Sequence, residues 1–361
     1  MSEEILFEVA NGWGEITLNR PQQLNALTLG MVQAMGRQLS AWRSDDSVKA
    51  VLIKAVPGRA FCAGGDIRYL YEKRKAGDID ACMQFFGTEY LNNWRVAEFP
   101  KPFVALMDGA VMGGGVGISM HGDFRVATEN ALFSMPECGI GLYPDVGATY
   151  MLPHLEGAIG MWLALTGTRL AAADMVRLGL ATHTVKAAGV AELVAELENI
   201  EWGEDNHALV KRALDMWHVT PPGETPALDH LTNINEAFAL DSSDEVLKAL
   251  DTMRDDSWAA GQRAAIERAC PLSIRVTHRA MKLGEKMDMT EALQMEYALT
   301  RKFVEDSIFI EGVRAQIIDK DRNPVWPHSS IKDVSRSDVD AMFRPAPDPI
   351  NLTWDDPPED A

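Results

Sequence analysis

The sequence predicts an α/β fold followed by a long all-helical carboxy-terminal region. Three observations carry this reading. Strand, turn and helix signals succeed one another through about residue 185, the pattern of a sheet covered on both faces. Val48–Ala55 is a β-branched run of the kind found in buried strands. From residue 187 to 310 the pattern is helical throughout, broken at Pro221-Pro222-Gly223, Asp241-Ser242-Ser243 and Pro271.

Taken in order, residues 5–19 alternate like two short strands about a turn at Asn11-Gly12, the second strand being Gly14–Leu18. Pro21 ends that strand, and Gln22–Leu27 is a loop leading to Thr28, an N-cap for a helix through Trp42. Val48–Ala55 turns at Pro57-Gly58-Arg59 into Ala60-Phe61-Cys62-Ala63-Gly64-Gly65-Asp66. That glycine step opens a helix from Ile67 to Lys75, with Asp66 as a cap worth about 1 kcal/mol. A longer helix is expected over 79–96. The next strand, Lys101–Met107, is read as running directly into Met112-Gly113-Gly114-Gly115-Val116-Gly117. After a short apolar run and a strand at Ala131–Ser134, helices are expected over Gly147–Ala164 and Ala171–Leu178, split by a turn at Thr166-Gly167. Glu311–Asp321 reads as the last ordered helix, closed by Asn323-Pro324. The expected organisation is a core over 1–200, a helical region over 201–335 and a mobile acidic tail over 336–361.

Charge and cysteine usage remove whole classes of function. With 34 basic against 53 acidic residues the net charge is −19, which disfavours non-specific binding to nucleic acid or to an anionic membrane surface. Cys62, Cys82, Cys138 and Cys270 are far apart and form no CxxC or Cys/His cluster, so neither a disulfide framework nor a zinc site is expected. No apolar run reaches the ~18 residues that span a bilayer. The start, Met1–Leu6, has neither a basic nor an apolar segment of signal-peptide type, and a cytoplasmic location is expected.

The chemistry is concentrated in two glycine steps and in a pair of loop carboxyl groups. Ala63-Gly64 and Gly113-Gly114-Gly115 each end a strand with backbone N–H groups at a helix start. Brought together, two such steps make a two-donor oxyanion hole, each donor worth roughly 3–4 kcal/mol to a transition state. Glu137 and Asp145 directly succeed Pro136 and Pro144 in a glycine- and proline-bounded loop. Two carboxyl groups in different environments can divide acid and base roles. The glycine spacing does not fit a dinucleotide fingerprint. There is no Gly-Lys-Ser/Thr of a P-loop and no Gly-x-Ser-x-Gly of a serine hydrolase.

Leu24-Asn25-Ala26-Leu27, Phe61-Cys62-Ala63-Gly64-Gly65-Asp66-Ile67, Gly113-Gly114-Gly115 and Phe133-Ser134-Met135-Pro136-Glu137 resemble the crotonase (enoyl-CoA hydratase/isomerase) superfamily. The resemblance implies a crotonase-like spiral of ββα units and an acyl-CoA substrate whose thioester carbonyl lies between the N–H groups of Ala63 and Gly114. Backbone around Leu24 and Ala26, with Ala63, Asp66 and Ile67, is implied to hold the CoA. Superfamily hydratases carry a first catalytic glutamate where this chain has Gly117, and Glu137 matches the second. His121–Thr128, Gly141–Gly147, Met295-Glu296-Tyr297, Glu311–Ala315 and Ile318–Asp321 are similar to the 3-hydroxyisobutyryl-CoA hydrolase subgroup. There the positions of Glu89, Gly114, Glu137 and Asp145 line the substrate site. The subgroup implies thioester hydrolysis in valine catabolism, with Glu137 and Asp145 catalytic and no cofactor beyond the CoA of the substrate. An enoyl-CoA isomerase or hydratase is the alternative within the superfamily, and a non-catalytic acyl-CoA-binding protein is the alternative outside enzymology. A homo-oligomer is compatible, since crotonase-fold proteins often form trimers.

Overall fold

The computed structural model describes residues 4–221, 223–253 and 256–355. Residues 1–3, Pro222 of the predicted break and residues 356–361 of the predicted tail lie outside the described residues.

Among the described residues ten strands form: β1 (Ile5–Ala10), β2 (Trp13–Leu18), β3 (Ala50–Ala55), β4 (Ala60–Cys62), β5 (Phe103–Met107), β6 (Ala110–Met112), β7 (Phe124–Thr128), β8 (Leu132–Ser134), β9 (Leu170–Ala171) and β10 (His183–Val185). They build two sheets, of order β1-β2-β3-β5-β7-β10 and β4-β6-β8-β9. The β1–β2 hairpin and the β8–β9 pair are antiparallel, and the other pairings are parallel. The pairs β3–β4, β5–β6 and β7–β8 each give their first strand to the large sheet and their second to the small one. Each pair then leads into helical segments before the next begins, which is a ββα spiral.

Alternation along β3 shows why this sheet is covered on both faces. Val51 and Ile53 point into the main core, whereas Ala50 and Leu52 point into a second cluster. That second cluster is closed by Leu193 and Leu197 of α8 (Val190–Glu198) and by Val210 and Leu214 of α9 (Asn206–Trp217). On the inner side lie α1 (Leu29–Ser44), α2 (Ile67–Lys75), α3 (Ile79–Ala97) and α4 (Gly114–Gly117). The predicted caps hold: Thr28 accepts from the Met31 N–H and Asp66 from the Tyr69 N–H.

Three expectations are corrected. Lys101–Met107 does not run directly into the glycine cluster. The chain turns at Asp108-Gly109, and β6 in the second sheet intervenes. Gly109 has φ +88° with the Arg59 carbonyl against it, a turn only glycine fits. Gly147–Ala164 is not one helix but α5 (Ala148–Met151), a 3₁₀ turn at Leu152–His154 and α6 (Ile159–Thr166). Pro153 lacks the N–H that would continue the ladder, and Gly157 turns at φ +60°. A short α7 (Ala172–Arg177) comes next.

The carboxy-terminal helices are α10 (Pro226–Asp229), α11 (Leu231–Phe238), α12 (Ser243–Thr252), α13 (Ser257–Arg268), α14 (Pro271–Gly284), α15 (Met289–Glu305), α16 (Ser307–Val313) and α17 (Arg336–Met342). α15 lies along α3, and a π-helical turn at Arg314–Ile318 extends α16 against α2. α16 is therefore not the last helix, which is the third correction. The segment read as a mobile tail forms α17, with a Ser335–Asp338 capping box, and is packed through Asp355. The Trp354 ring lies 5.5 Å from Trp94 and 6.0 Å from Phe99, with the Arg43 guanidinium 4.8 Å above it. Buried Arg95 donates to the carbonyls of Thr353, Trp354 and Asp355. These aromatic and backbone contacts outweigh the proline and acidic content that suggested mobility.

Candidate active site

The two glycine steps meet. A Cβ placed on Gly113 (φ +48°) would lie 3.4 Å from the Gly64 Cα and 3.3 Å from Glu137 Oε1. A Cβ placed on Gly64 would lie 3.7 Å from the Gly114 nitrogen. Strands β4 and β6 bring this about, because they are parallel neighbours and each ends at its glycines. Gly114 is tighter still, since a Cβ there would sit 2.2 Å from Glu89 Oε1. Glycine is needed at 114 for lack of room rather than for its dihedral angles.

The first step needs a correction. The Ala63 N–H already donates to the Leu24 carbonyl at 3.0 Å, so Ala63 is not a free donor. Among the described residues the N–H groups of Gly64, Gly65 and Gly114 have no acceptor, so the free donors of the first step are those of Gly64-Gly65. The loop 24–27 is the scaffold of this arrangement. Leu27 donates to the Gly64 carbonyl, and Asp66 donates back to Leu27. Leu24 and Asn25 both have φ +54°, and buried Asn25 secures them by accepting from the Arg20 N–H and donating to the Ala60 carbonyl. The Leu24 carbonyl thus accepts from Ala63, the Ala26 carbonyl accepts from Arg20, and Asp66 and Ile67 stand at the start of α2. Asp66 is occupied structurally, capping α2 and pairing with Arg20 at 2.8 Å.

Three carboxyl groups converge beside the junction. Glu89 comes from α3, Glu137 opens a 3₁₀ turn directly after Pro136, and Asp145 lies in the loop before α5. They are 2%, 6% and 4% exposed, so all are removed from water. Glu89 Oε1 and Glu137 Oε2 have no hydrogen-bond partner among the described residues. Burial first, and then the neighbouring Asp145 carboxylate, hold both glutamates well above the usual carboxylate range. Burial also raises Asp145, to about 6, against the pull of the Tyr90 hydroxyl, which lies 2.6 Å from its Oδ2. The nearby thiols of Cys62 and Cys138 are pushed up to about 12 by burial and do not compete as nucleophiles.

Sequence reasoning missed the supports of this site. Glu296 of α15, fully buried, accepts from the Gly147 N–H (2.7 Å), the Thr149 N–H (3.0 Å) and the Thr149 hydroxyl (2.6 Å). It fixes the loop that carries Asp145. Tyr90, Tyr143 and Thr300 form a hydroxyl chain beside it. Glu296 and Tyr143 stood in the sequence only as parts of the motifs Met295-Glu296-Tyr297 and Gly141–Gly147, with no role attached. Asn93, one turn beyond Glu89, lies against Gly117, where a Cβ would be 2.4 Å from its Nδ2.

Residues 13–343 match the family described as enoyl-CoA hydratase/isomerase. The chain belongs to that family. A 3-hydroxyisobutyryl-CoA hydrolase, mitochondrial, of Rattus norvegicus is 42% identical over 349 residues, covering 94% of this chain and 89% of the relative. The protein of the same name from Homo sapiens is 41% identical over 348 residues, covering 95% and 89%. Among solved structures, a carnitinyl-CoA dehydratase from Mycobacterium thermoresistibile is 34% identical with a TM-score of 0.89, covering 97% of this chain and 99% of that one. An enoyl-CoA hydratase from Rhodobacter sphaeroides is 38% identical with a TM-score of 0.88, covering 97% and 100%. The spiral expected from the resemblance is the family fold, and the match to the two solved structures extends over the helical carboxy-terminal region. Among the described residues no helix is long and apolar enough to cross a membrane.

Proposed function

We propose that the protein hydrolyses the thioester of a short branched 3-hydroxyacyl-CoA of the 3-hydroxyisobutyryl-CoA type, releasing CoA and the free hydroxy acid. The observation that carries this is the convergence of buried Glu89, Glu137 and Asp145 on unpaired N–H groups of two glycine steps. The names of the rat and human relatives support the choice of reaction and substrate.

In this scheme the thioester oxygen accepts from Gly114 and from the Gly64-Gly65 step, which stabilise it as negative charge develops. Glu137, with Oε2 unoccupied, either attacks the carbonyl carbon or removes a proton from a water that does. As the C–S bond breaks, Asp145 gives its proton to sulfur. Glu89 Oε1 accepts from the substrate's 3-hydroxyl. The acyl-CoA lies along Leu24, Ala26, Ala63, Asp66 and Ile67, and the scheme uses no cofactor. Single turnover in heavy-oxygen water separates the two routes: label entering Glu137 marks direct attack, and label confined to the product acid marks general-base catalysis. A place in valine catabolism, a cytosolic location and assembly into homo-oligomers belong to the same proposal, although the rat and human relatives are named mitochondrial.

The second reading is hydration or dehydration of an enoyl-CoA, favoured by the names of the two solved structures. Against it stands Gly117, which offers no carboxylate where the superfamily's hydratases are expected to have one, and Asn93 fills the space. A thiol reagent decides between them. Stoichiometric thiol from 3-hydroxyisobutyryl-CoA supports hydrolysis, and a gain of enoyl absorbance from the same substrate without thiol overturns it.

A further inference from the structure

Four oxygen–oxygen contacts run in sequence through the wall of the site. Asp145 Oδ2 lies 2.6 Å from the Tyr90 hydroxyl, which lies 2.6 Å from Thr300 Oγ1. Thr300 Oγ1 lies 2.9 Å from the Tyr143 hydroxyl, and that hydroxyl donates to the Glu296 carbonyl at 2.5 Å. The line is buried throughout.

The protons along this line have little freedom. A backbone carbonyl can only accept, so the Tyr143 proton points to Glu296. For every contact to carry a proton, the Thr300 proton must then lie toward Tyr143, and the Tyr90 proton toward Thr300. Three hydroxyl protons have now served three contacts. The fourth contact, between Tyr90 and Asp145, needs a proton of its own, and Asp145 is the group left to supply it. With Asp145 ionised, Tyr90 turns its proton to the carboxylate and Thr300 turns to Tyr90, so the Thr300 and Tyr143 oxygens face each other at 2.9 Å with no proton between them. That arrangement is repulsive, and the burial of the line keeps bulk water from relieving it.

We infer that the hydroxyl chain Tyr90–Thr300–Tyr143, anchored on the Glu296 carbonyl, favours the protonated form of Asp145 and so supplies the proton that the departing sulfur takes. Tyr90, Thr300 and Tyr143 are positioning residues acting through Asp145. The second half of this inference rests on the hydrolase reading. When the C–S bond breaks, its electron pair goes to sulfur and the Asp145 proton goes with it. The Tyr90 proton then swings to the carboxylate, and Asp145 regains its proton from the water consumed. The other titratable groups around Asp145 agree with this assignment. Glu89 and Tyr90 on α3, Glu137, Tyr143 and Glu296 are all acids, and none offers a cation to favour the ionised form. His121, which contacts the Val146 carbonyl at 2.7 Å, is pushed down to about 4 by burial and is neutral. With Asp145 neutral, one of the like charges that add to the effect of burial on Glu137 disappears, which eases its ionisation as base or nucleophile.

The test is an infrared titration of the ligand-free protein, with the Asp145 carboxylic-acid C=O band identified by its loss in Asp145→Asn. The wild type should keep the band up to a midpoint near pH 6, well above that of an ordinary aspartic acid. Thr300→Val, or Thr300→Ala if valine does not fold, frees the Tyr90 proton for the carboxylate. It should move the band's midpoint down by about one pH unit or more, a tenfold change in protonation at fixed pH. Thr300→Ser should restore the wild-type midpoint, and the alkaline limb of kcat should track the band. An unmoved midpoint in the valine and alanine variants, or a wild-type midpoint near that of an ordinary aspartic acid, overturns the inference. Because the band is read without substrate, a wild type that releases no thiol would fail the hydrolase reading and leave the proton count to be judged separately.

Discussion

At the scale of single residues, the environment of Asp145 ties stability to pH with a definite sign. Burial lifts its folded-state pKa from an ordinary 3.8 to about 6. Between those values the folded protein holds more protons than the unfolded chain, so stability falls as pH rises through the window. The contribution is about 3 kcal/mol at most. Replacing Asp145 with asparagine should remove it. In urea unfolding, the wild type should lose stability relative to Asp145→Asn from pH 4 to pH 7, and a difference that stays constant with pH would contradict the burial described. Glu137 and Asp145 themselves were legible, because the glycine- and proline-bounded loop marks them. Ala63 was placed wrongly because the residues cannot show which N–H of a glycine step is already used, and the bond to Leu24 depends on a loop 39 positions away in the chain.

At the scale of elements, α15 and α3 together make the site's rear wall. Glu296 satisfies three donors of the loop after Asp145, and its own burial lifts it to about 8 against those donors. Removing the side chain with Glu296→Ala leaves three buried donors unmet, at about 1–3 kcal/mol for each group. Unfolding free energy should drop by about 3 kcal/mol or more, and kcat at least tenfold as Asp145 loses its fixed position. Calorimetry and thiol release check the two effects, and a variant with wild-type values on both would show that the clamp is dispensable. Helices with local caps, such as those after Thr28 and Asp66, could be read from sequence because their start signals lie within a few residues. The contact of α15 with α3 could not, since an amphipathic pattern says that a face is buried but not against what.

Over the whole molecule, the spiral and the helical carboxy-terminal region share one hydrophobic core. The chain's end closes it by returning to α1 and α3, where Ser40 donates to the Trp354 carbonyl at 3.1 Å. Trp354 is half-buried between Trp94, Phe99 and Arg43. Trp354→Ala should cost about 2 kcal/mol in chemical denaturation while kcat stays near wild type, because the residue lies behind α3 and away from the carboxyl groups. A loss of activity without a loss of stability would instead place this segment in the site. The tail's composition concealed this docking, because a single aromatic anchor and a buried arginine do not register in an average over many polar residues.

The central claim, thioester hydrolysis at Glu137, is tested most directly by measuring thiol release from 3-hydroxyisobutyryl-CoA with the wild type and with Glu137→Gln. The amide keeps the shape of the side chain but removes both its nucleophilic oxygen pair and its proton-accepting role. Hydrolysis through Glu137 predicts steady thiol release by the wild type and a fall in kcat on the order of 10³-fold or more in a variant that stays folded. Near-normal thiol release by Glu137→Gln, or none by the wild type, would contradict it.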